Sequence, residues 1–476
     1  MLGSSILVVC GIELGDEAKG TTTNFLTELS GSPLTVRYNG GPQAGHNVVT
    51  GNGRWHCFAQ FGSGTFTDNT LTYLSRYMLI EPEALFREAQ TLKNKGVQNP
   101  LSRCIIDARA TVITPAHKLV GQLLEISRGE HRLGSCGMGV GRAILDQENG
   151  LFISLQDFFS PEVLAEKLRC LIDWELAKAR EILASNPRSS SMQETYQYFL
   201  GRLNLEDLLK TYANFLQRMR SNIDQTGSFL ARYLSQQTTV IFEGAQGALL
   251  DRKRGFHPHI TQSRTTYHNA ADLLLGHDCE VKKIGVMRPY AHRHGRGPLV
   301  TEDESLTRYF TELHNSENAW QGPFRVGWLD LLSLRYGLAI NDGVDALVLT
   351  NLDQLSSLAE IKICQSYEYR GPLNDLDSYF EWEPLGSQRA KITAIKNEPL
   401  SLEQSEQRTR ILMDCRPLEF IKLPGWQQDI TKARKASDLP LQSRQLISFL
   451  ESSAGLTTPI WTVSVDPTSR GKILLR

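Results

Sequence analysis

The residues in this chain whose types suit chemistry gather in four turns that follow apolar runs. The first reads Gly15-Asp16-Glu17-Ala18-Lys19-Gly20-Thr21 and leads into a helical pattern. Backbone N–H groups and the helix dipole make such a junction favourable for phosphate. Asp16 stands where the Walker A spacing needs glycine, so the loop sets a carboxylate among phosphate-binding amides. A carboxylate there suits Mg²⁺ binding or removal of a proton beside the phosphate. The second turn, Arg37-Tyr38-Asn39-Gly40-Gly41-Pro42-Gln43-Ala44-Gly45-His46-Asn47, brings backbone close to a ligand, and its His46 titrates near neutral pH. The third, Phe242-Glu243-Gly244-Ala245-Gln246-Gly247-Ala248-Leu249-Leu250-Asp251, offers Gln246, an amide able to read a base edge. The fourth runs from Leu347 to Asp353, whose carboxylate suits the N1–H and N2–H₂ donors of guanine. Taken singly, each also reads as a solvated helix cap, a surface turn, a braced loop or a strand-end turn.

These turns need a frame to bring them together. Residues 4–10 read as a buried strand and 18–29 as a helix with its apolar residues on one face. Further strand candidates lie at 34–38, 238–242, 283–287, 346–350 and 460–465, with helical patterns between several of them. The alternation predicts an α/β fold with a mostly parallel central sheet flanked by helices, its first loop P-loop-like. Over 160–237 long amphipathic patterns predict a helical insertion starting at Ser160 and Pro161, with 185–194 as an exposed loop. Residues 365–426 are polar and turn-rich and read as a peripheral module. The whole chain, 1–476, is read as one domain carrying these additions.

Composition narrows the function classes. A 41% hydrophobic and 22% charged chain of 476 residues excludes wholesale disorder. With 51 Lys+Arg against 52 Asp+Glu, no global field draws the protein to nucleic acid or an acidic membrane, so no direct nucleic-acid binding is expected. The eight cysteines show no CxxC and no zinc-binding spacing, which predicts reduced thiols and a cytoplasmic location. No run approaches 18 apolar residues, so no membrane span is expected.

Together, and in this order, the four clusters resemble the adenylosuccinate synthetase family, which joins IMP to aspartate using GTP. GDEAKG is similar to the family's GDEGKG, RYNGGPQAGHNVV to RYxGGxNAGHTVV, FEGAQGALLD to FEGAQGTLLD, and Gly327-Trp328-Leu329-Asp330 to GWxD. TNLDQL is similar to TKLDVL, and Ser464-Val465-Asp466-Pro467 to STGP. The resemblance implies a GTP- and Mg²⁺-dependent ligase, homodimeric, acting on small-molecule nucleotides. It implies Asp16 as the base that takes the purine N1 proton and His46 as the acid that assists O6 attack on the γ-phosphate. It implies GTP contacts from Gly15, Glu17, Ala18, Lys19, Gly20, Thr21, Asn351, Leu352, Asp353 and Ser464. Purine-substrate contacts would come from Asp16, Lys19, Gln43, Ala44, Gly45, His46, Cys136, Gln246 and Thr261, and Mg²⁺ ligands from Asp16 and the Gly45 carbonyl.

The departures from the family pattern carry expectations of their own. Ala18 replaces a glycine and would be strained if its φ is positive. Cys136 stands for a phosphate-contacting threonine, and Glu148-Asn149 where the family supplies an arginine, leaving Arg142 nearby as a substitute. Asn351 stands where the family has lysine. Before Gly327, the amine-binding stretch reads Asn318-Ala319-Trp320-Gln321-Gly322-Pro323-Phe324-Arg325, so Arg325 alone is left to hold a carboxylate and aspartate is expected to be a poor co-substrate. The alternatives are a paralogue with another purine or amine and a GTP- or purine-nucleotide-binding regulator that does not ligate.

Overall fold

The computed structural model describes residues 5–236, 238–310, 320 and 322–476. Its centre is a 10-stranded sheet in the order Lys472–Leu474, Ile460–Ser464, Ala346–Leu349, Val281–Met287, Ile6–Gly11, Val240–Gly247, Leu34–Arg37, Leu71–Leu74, Cys104–Asp107, Ile223–Asp224. Every pairing is parallel except that of the edge strand Lys472–Leu474. The fold is therefore α/β with a mostly parallel sheet, as the alternation of strand and helix patterns predicts. The first strand reads as a continuous apolar run because it is covered on both faces. Ile6 and Val8 pack with Val36 and Phe242 on one side, and Leu7 and Val9 pack with Phe25 and Leu26 on the other. The strands at 71–74, 104–107, 223–224 and 472–474, each of at most four residues, are not among the strand candidates read from the sequence.

The span 160–237 contains helices Pro161–Ser185, Ser190–Leu200, Leu205–Met219 and Ser228–Leu234. Two details differ from the sequence reading. The stretch 185–194 is mostly helix, because Ser189 caps the next helix by accepting from the Met192 N–H at 3.4 Å. The span also holds Ile223–Asp224, which belongs to the central sheet. Further along, Glu360–Arg370 pairs with Arg389–Ile395 and Arg416–Pro424 in a separate five-stranded sheet, so position 365 falls inside a strand. No helix among the described residues is long and apolar enough to cross a membrane. All eight cysteines are free.

Candidate functional site

The parallel strands end together, and the turns that follow them open onto a cleft of about 750 Å³. This is where ligands bind in open α/β sheets. Gly15, Asp16, Ala18, Lys19, Gly20, Thr21, Gln43, Ala44, Gly45, His46, Cys136, Gln246, Thr261, Asn351, Asp353 and Ser464 all border it. Three predicted residues do not, and each has a physical reason.

Glu17 turns inward and is fully buried. Its carboxylate accepts from the Gly15 N–H at 2.8 Å and the Glu13 N–H at 3.1 Å and pairs with Lys19. Burial alone would raise this carboxyl, but Lys19, His292 and the Gly15 N–H together hold it below the ordinary range. Glu17 thus braces the loop from behind. Leu352 is fully buried in the core with Leu347 and Leu349. Arg325 is committed elsewhere: its Nε donates to Glu302 at 2.8 Å and its Nη1 to the carbonyls of Gly295 and Gly297, both at 3.0 Å. Of the stretch read as the amine-binding loop, Asn318, Ala319 and Gln321 lie outside the described residues.

The phosphate loop is clamped by residues with no motif. Arg288 Nε donates to the Asp16 carbonyl at 2.7 Å, and the His292 Nε2 meets the Gly15 carbonyl. Asp16 has a φ of 55° and Ala18 one of 63°, so Ala18 occupies the left-handed conformation that makes a family glycine costly to replace. The half-buried Asp16 carboxylate makes no hydrogen bond or ion pair among the described residues and faces the cleft. The helix Lys19–Ser30 then passes directly against the second turn. A Cβ on Gly20 would lie 2.8 Å from the His46 Cβ, so glycine is required for Lys19 and His46 to share one site.

His46 has a partner that sequence reading leaves without a role. Its Nδ1 lies 2.7 Å from Glu243 Oε1, and Glu243 is itself fully buried. Glu243 also accepts from the Ser63 backbone N–H at 2.9 Å and from the Ser63 hydroxyl. With Nδ1–H donated to a fixed carboxylate, Nε2 is the ring atom left for the cleft. Burial draws the His46 imidazole below its ordinary range, against the opposing pull of Glu243.

The wall carrying Cys136 differs from expectation. Burial pushes the Cys136 thiol up. Its loop is held by Glu125, which accepts from the Gly134 N–H at 2.7 Å. Arg142 borders the cleft but is locked between two carboxylates, donating through Nε to Glu175 at 2.8 Å and pairing with Asp146. It is therefore not the substitute phosphate cation that its position suggests. Glu148 is paired with Arg252, which neutralises the acidic character expected there.

Cations reach the cleft from a segment with no recognisable motif instead. Arg293, His294 and Arg296 border it, beside His259. Among the described residues Arg293 donates only to backbone carbonyls, including that of His259 at 2.9 Å, and burial with the neighbouring Arg325 draws it down to about 9. The His294 Nε2 is buried without a hydrogen-bond partner. The exposed Arg296 side chain makes no ion pair among the described residues. Two guanidinium groups, Arg293 and Arg296, with no ion pair among the described residues make this wall suited to an anion.

At the far end, Asn351, Asp353, Gln354, Ser464, Asp466 and Pro467 form a smaller recess. Burial pushes the Asp353 carboxyl up to about 6, while a hydrogen bond from Gln354 opposes the shift. Asn351 has a φ of 55° and turns the chain so that Asp353 faces the recess.

Known proteins share this frame. A family model described as adenylosuccinate synthetase matches residues 8–473. The chain is similar to the adenylosuccinate synthetase of Xanthomonas oryzae pv. oryzae, 31% identical over 469 residues, which are 98% of this chain and 97% of that one. It is similar to that of Caldanaerobacter subterraneus subsp. tengcongensis, 29% identical over 475 residues with 99% of each chain covered. Its fold is similar to that of the fully ligated adenylosuccinate synthetase of Plasmodium falciparum, with a TM-score of 0.79, 24% identity, and coverage of 99% of this chain and 100% of that one.

Proposed function

The chain belongs to the adenylosuccinate synthetase family, and on that premise we propose that it ligates a 6-oxopurine nucleotide such as IMP to an amine, consuming GTP with Mg²⁺. The observation that carries this reading is the convergence of Asp16 and the Glu243-held His46 on one cleft. Asp16 takes the proton from purine N1, and the released electrons drive O6 onto the γ-phosphorus as GDP departs. His46 protonates as the phosphates arrive and donates through Nε2 to a phosphoryl oxygen. The amine nitrogen then attacks C6, loses a proton, and the former O6 leaves as part of inorganic phosphate. A phosphate is a far better leaving group than an oxide, which is why GTP is spent on the purine.

The remaining contacts follow from placement. Lys19, Gly20 and Thr21 open the helix toward the triphosphate, and Asp353 reads guanine, with Asn351 and Ser464 beside it. Gln43, Ala44, Gln246, Thr261 and Cys136 border the acceptor nucleotide. The half-buried Asp16 carboxylate, without a hydrogen bond or ion pair among the described residues, is a hard oxygen donor that suits Mg²⁺. Asp16 and the Gly45 carbonyl are the protein oxygens at the cleft that would hold it, and Mg²⁺ characteristically takes few protein ligands along with phosphates and water. When bound, it neutralises charge developing on the phosphoryl groups.

With Arg325 tied to Glu302, Arg296 is the guanidinium at the cleft that would hold a carboxylate of the amine, which suits an amine less acidic than aspartate. A homodimer is part of the same proposal and is checked by light scattering. The test of function is incubation with GTP, Mg²⁺, and pools of purine nucleotides and amino acids, read by mass. A purine–amino acid adduct that requires GTP supports the reading. GTP hydrolysis with no adduct supports a non-ligating regulator.

A further inference from the structure

Behind Ser464, which borders the cleft, lies a buried lysine that no role above uses. Lys472 lies directly opposite Ser464 in the antiparallel pair formed by Ile460–Ser464 and Lys472–Leu474. The two side chains therefore share a face of the sheet. Lys472 is 6% exposed, and its Nζ donates to Ser464 Oγ at 3.3 Å. That hydroxyl is its only hydrogen-bond partner among the described residues, and no carboxylate there lies within ion-pair distance of it. Asp466 is occupied by the Thr468 N–H and hydroxyl, both at 2.6 Å, and by Arg434 at 3.2 Å. Asp353 faces the ammonium from farther off. A lysine so placed is buried with no carboxylate in contact among the described residues, and only the more distant charges of Asp466 and Asp353 support its ammonium, an arrangement that favours a ligand acceptor nearby.

Ser464 turns this charge into a preference. Its hydroxyl has one hydrogen and two lone pairs. Lys472 fills one lone pair, and the hydrogen currently goes to the Asp466 carbonyl at 3.1 Å. With the ammonium on one side, that hydrogen is restricted to the opposite directions, toward the Asp466 carbonyl or toward a base in the recess. A 6-oxo group can accept it and is also attracted by the positive charge behind it. A 6-amino group points its own hydrogens at that charge.

We propose that Lys472 is a positioning residue that acts through Ser464 to make the triphosphate recess select a 6-oxopurine over a 6-aminopurine. The inference rests on the reading of Asp353 as the base contact. Lys472 would supply the half of base recognition that Asp353, an acceptor only, cannot. Burial draws the amine down to about 7 while the charges of Asp466 and Asp353 pull it up, so an acceptor bound at Ser464 would favour its charged form.

The test is calorimetric binding of GTP and ATP to the full chain and to Lys472→Met, Lys472→Arg, Ser464→Ala and Asp353→Asn. Lys472→Met is expected to reduce the GTP-to-ATP affinity ratio by about tenfold, the scale of one charge-assisted hydrogen bond. Lys472→Arg should restore most of that ratio, which a merely space-filling role would not require. Ser464→Ala keeps the ammonium but removes its relay and should lose the ratio to the same extent, so the proposal stays testable if Lys472→Met does not fold. An unchanged ratio in Lys472→Met or Ser464→Ala, alongside a reduced ratio in Asp353→Asn, overturns this inference and leaves the Asp353 reading standing. An unchanged ratio in Asp353→Asn overturns both.

Discussion

Asp16, Lys19 and His46 sit on strand-end turns whose backbones and partners are fixed from below, by Arg288, Glu17 and Glu243 respectively. Across the cleft, the residues expected to grip anions are spent on the protein itself: Arg142 on Asp146 and Glu175, and Arg325 on Glu302. Arg296, which makes no ion pair among the described residues and borders the cleft there, belongs to no motif. Proton transfer tolerates little displacement, and the groups proposed for it are the ones clamped into the sheet. Charge for a substrate anion can be supplied from several directions, and here it comes from a different segment of the same wall.

If the clamped side performs the chemistry, the largest effect should come from Asp16→Asn, which removes both the base and the metal-binding charge. We expect ligation to fall about 10⁴-fold while calorimetric nucleotide binding survives. Glu243→Gln never touches ligand, yet it should cost about 10²-fold in kcat by weakening the charge and orientation of His46. A wild-type kcat for Glu243→Gln would place His46 outside the proton path.

If the far wall only binds, its variants should act on KM. Arg296→Ala is expected to raise KM for the amine about tenfold, the loss of one charge-assisted contact, with a smaller change in kcat. An equal fall in kcat would move Arg296 into the reacting geometry and blur the contrast between the walls. The base recess offers a pH test. Burial sets the Asp353 carboxyl at about 6, so a proton competes with guanine below that pH. GTP affinity should then weaken about tenfold per unit as the pH falls below about 6, and Asp353→Asn should abolish that slope. The smallest effect expected is on stability: Ala18→Gly relieves a left-handed alanine and should stabilise the fold by about 1 kcal/mol in denaturant titration.

The proposed catalytic pair was legible because it lies in short turns at the ends of apolar runs, where order along the chain is nearly order in space. Six strands of the central sheet were legible for the same reason. The Glu243 contact to His46 was not, since the two residues are 197 positions apart and meet only when their strands align. Direction within a turn was also hidden. Glu17 lies between two cleft-facing residues but points inward, because the loop needs its carboxylate to hold the Gly15 and Glu13 amides. Arg325 and Arg142 were read by type alone, and their fates were decided by Glu302, Asp146 and Glu175, whose proximity no spacing reveals.

The central claim is that the purine oxygen itself becomes a phosphate oxygen. The direct measurement uses a 6-oxopurine nucleotide found active in the product screen, labelled with ¹⁸O at O6, with GTP, Mg²⁺ and the amine, and follows the label by mass. The account predicts that inorganic phosphate carries the ¹⁸O in step with adduct formation, and that Asp16→Asn removes both together. Phosphate whose fourth oxygen comes from water, with the label still on the purine, would contradict it.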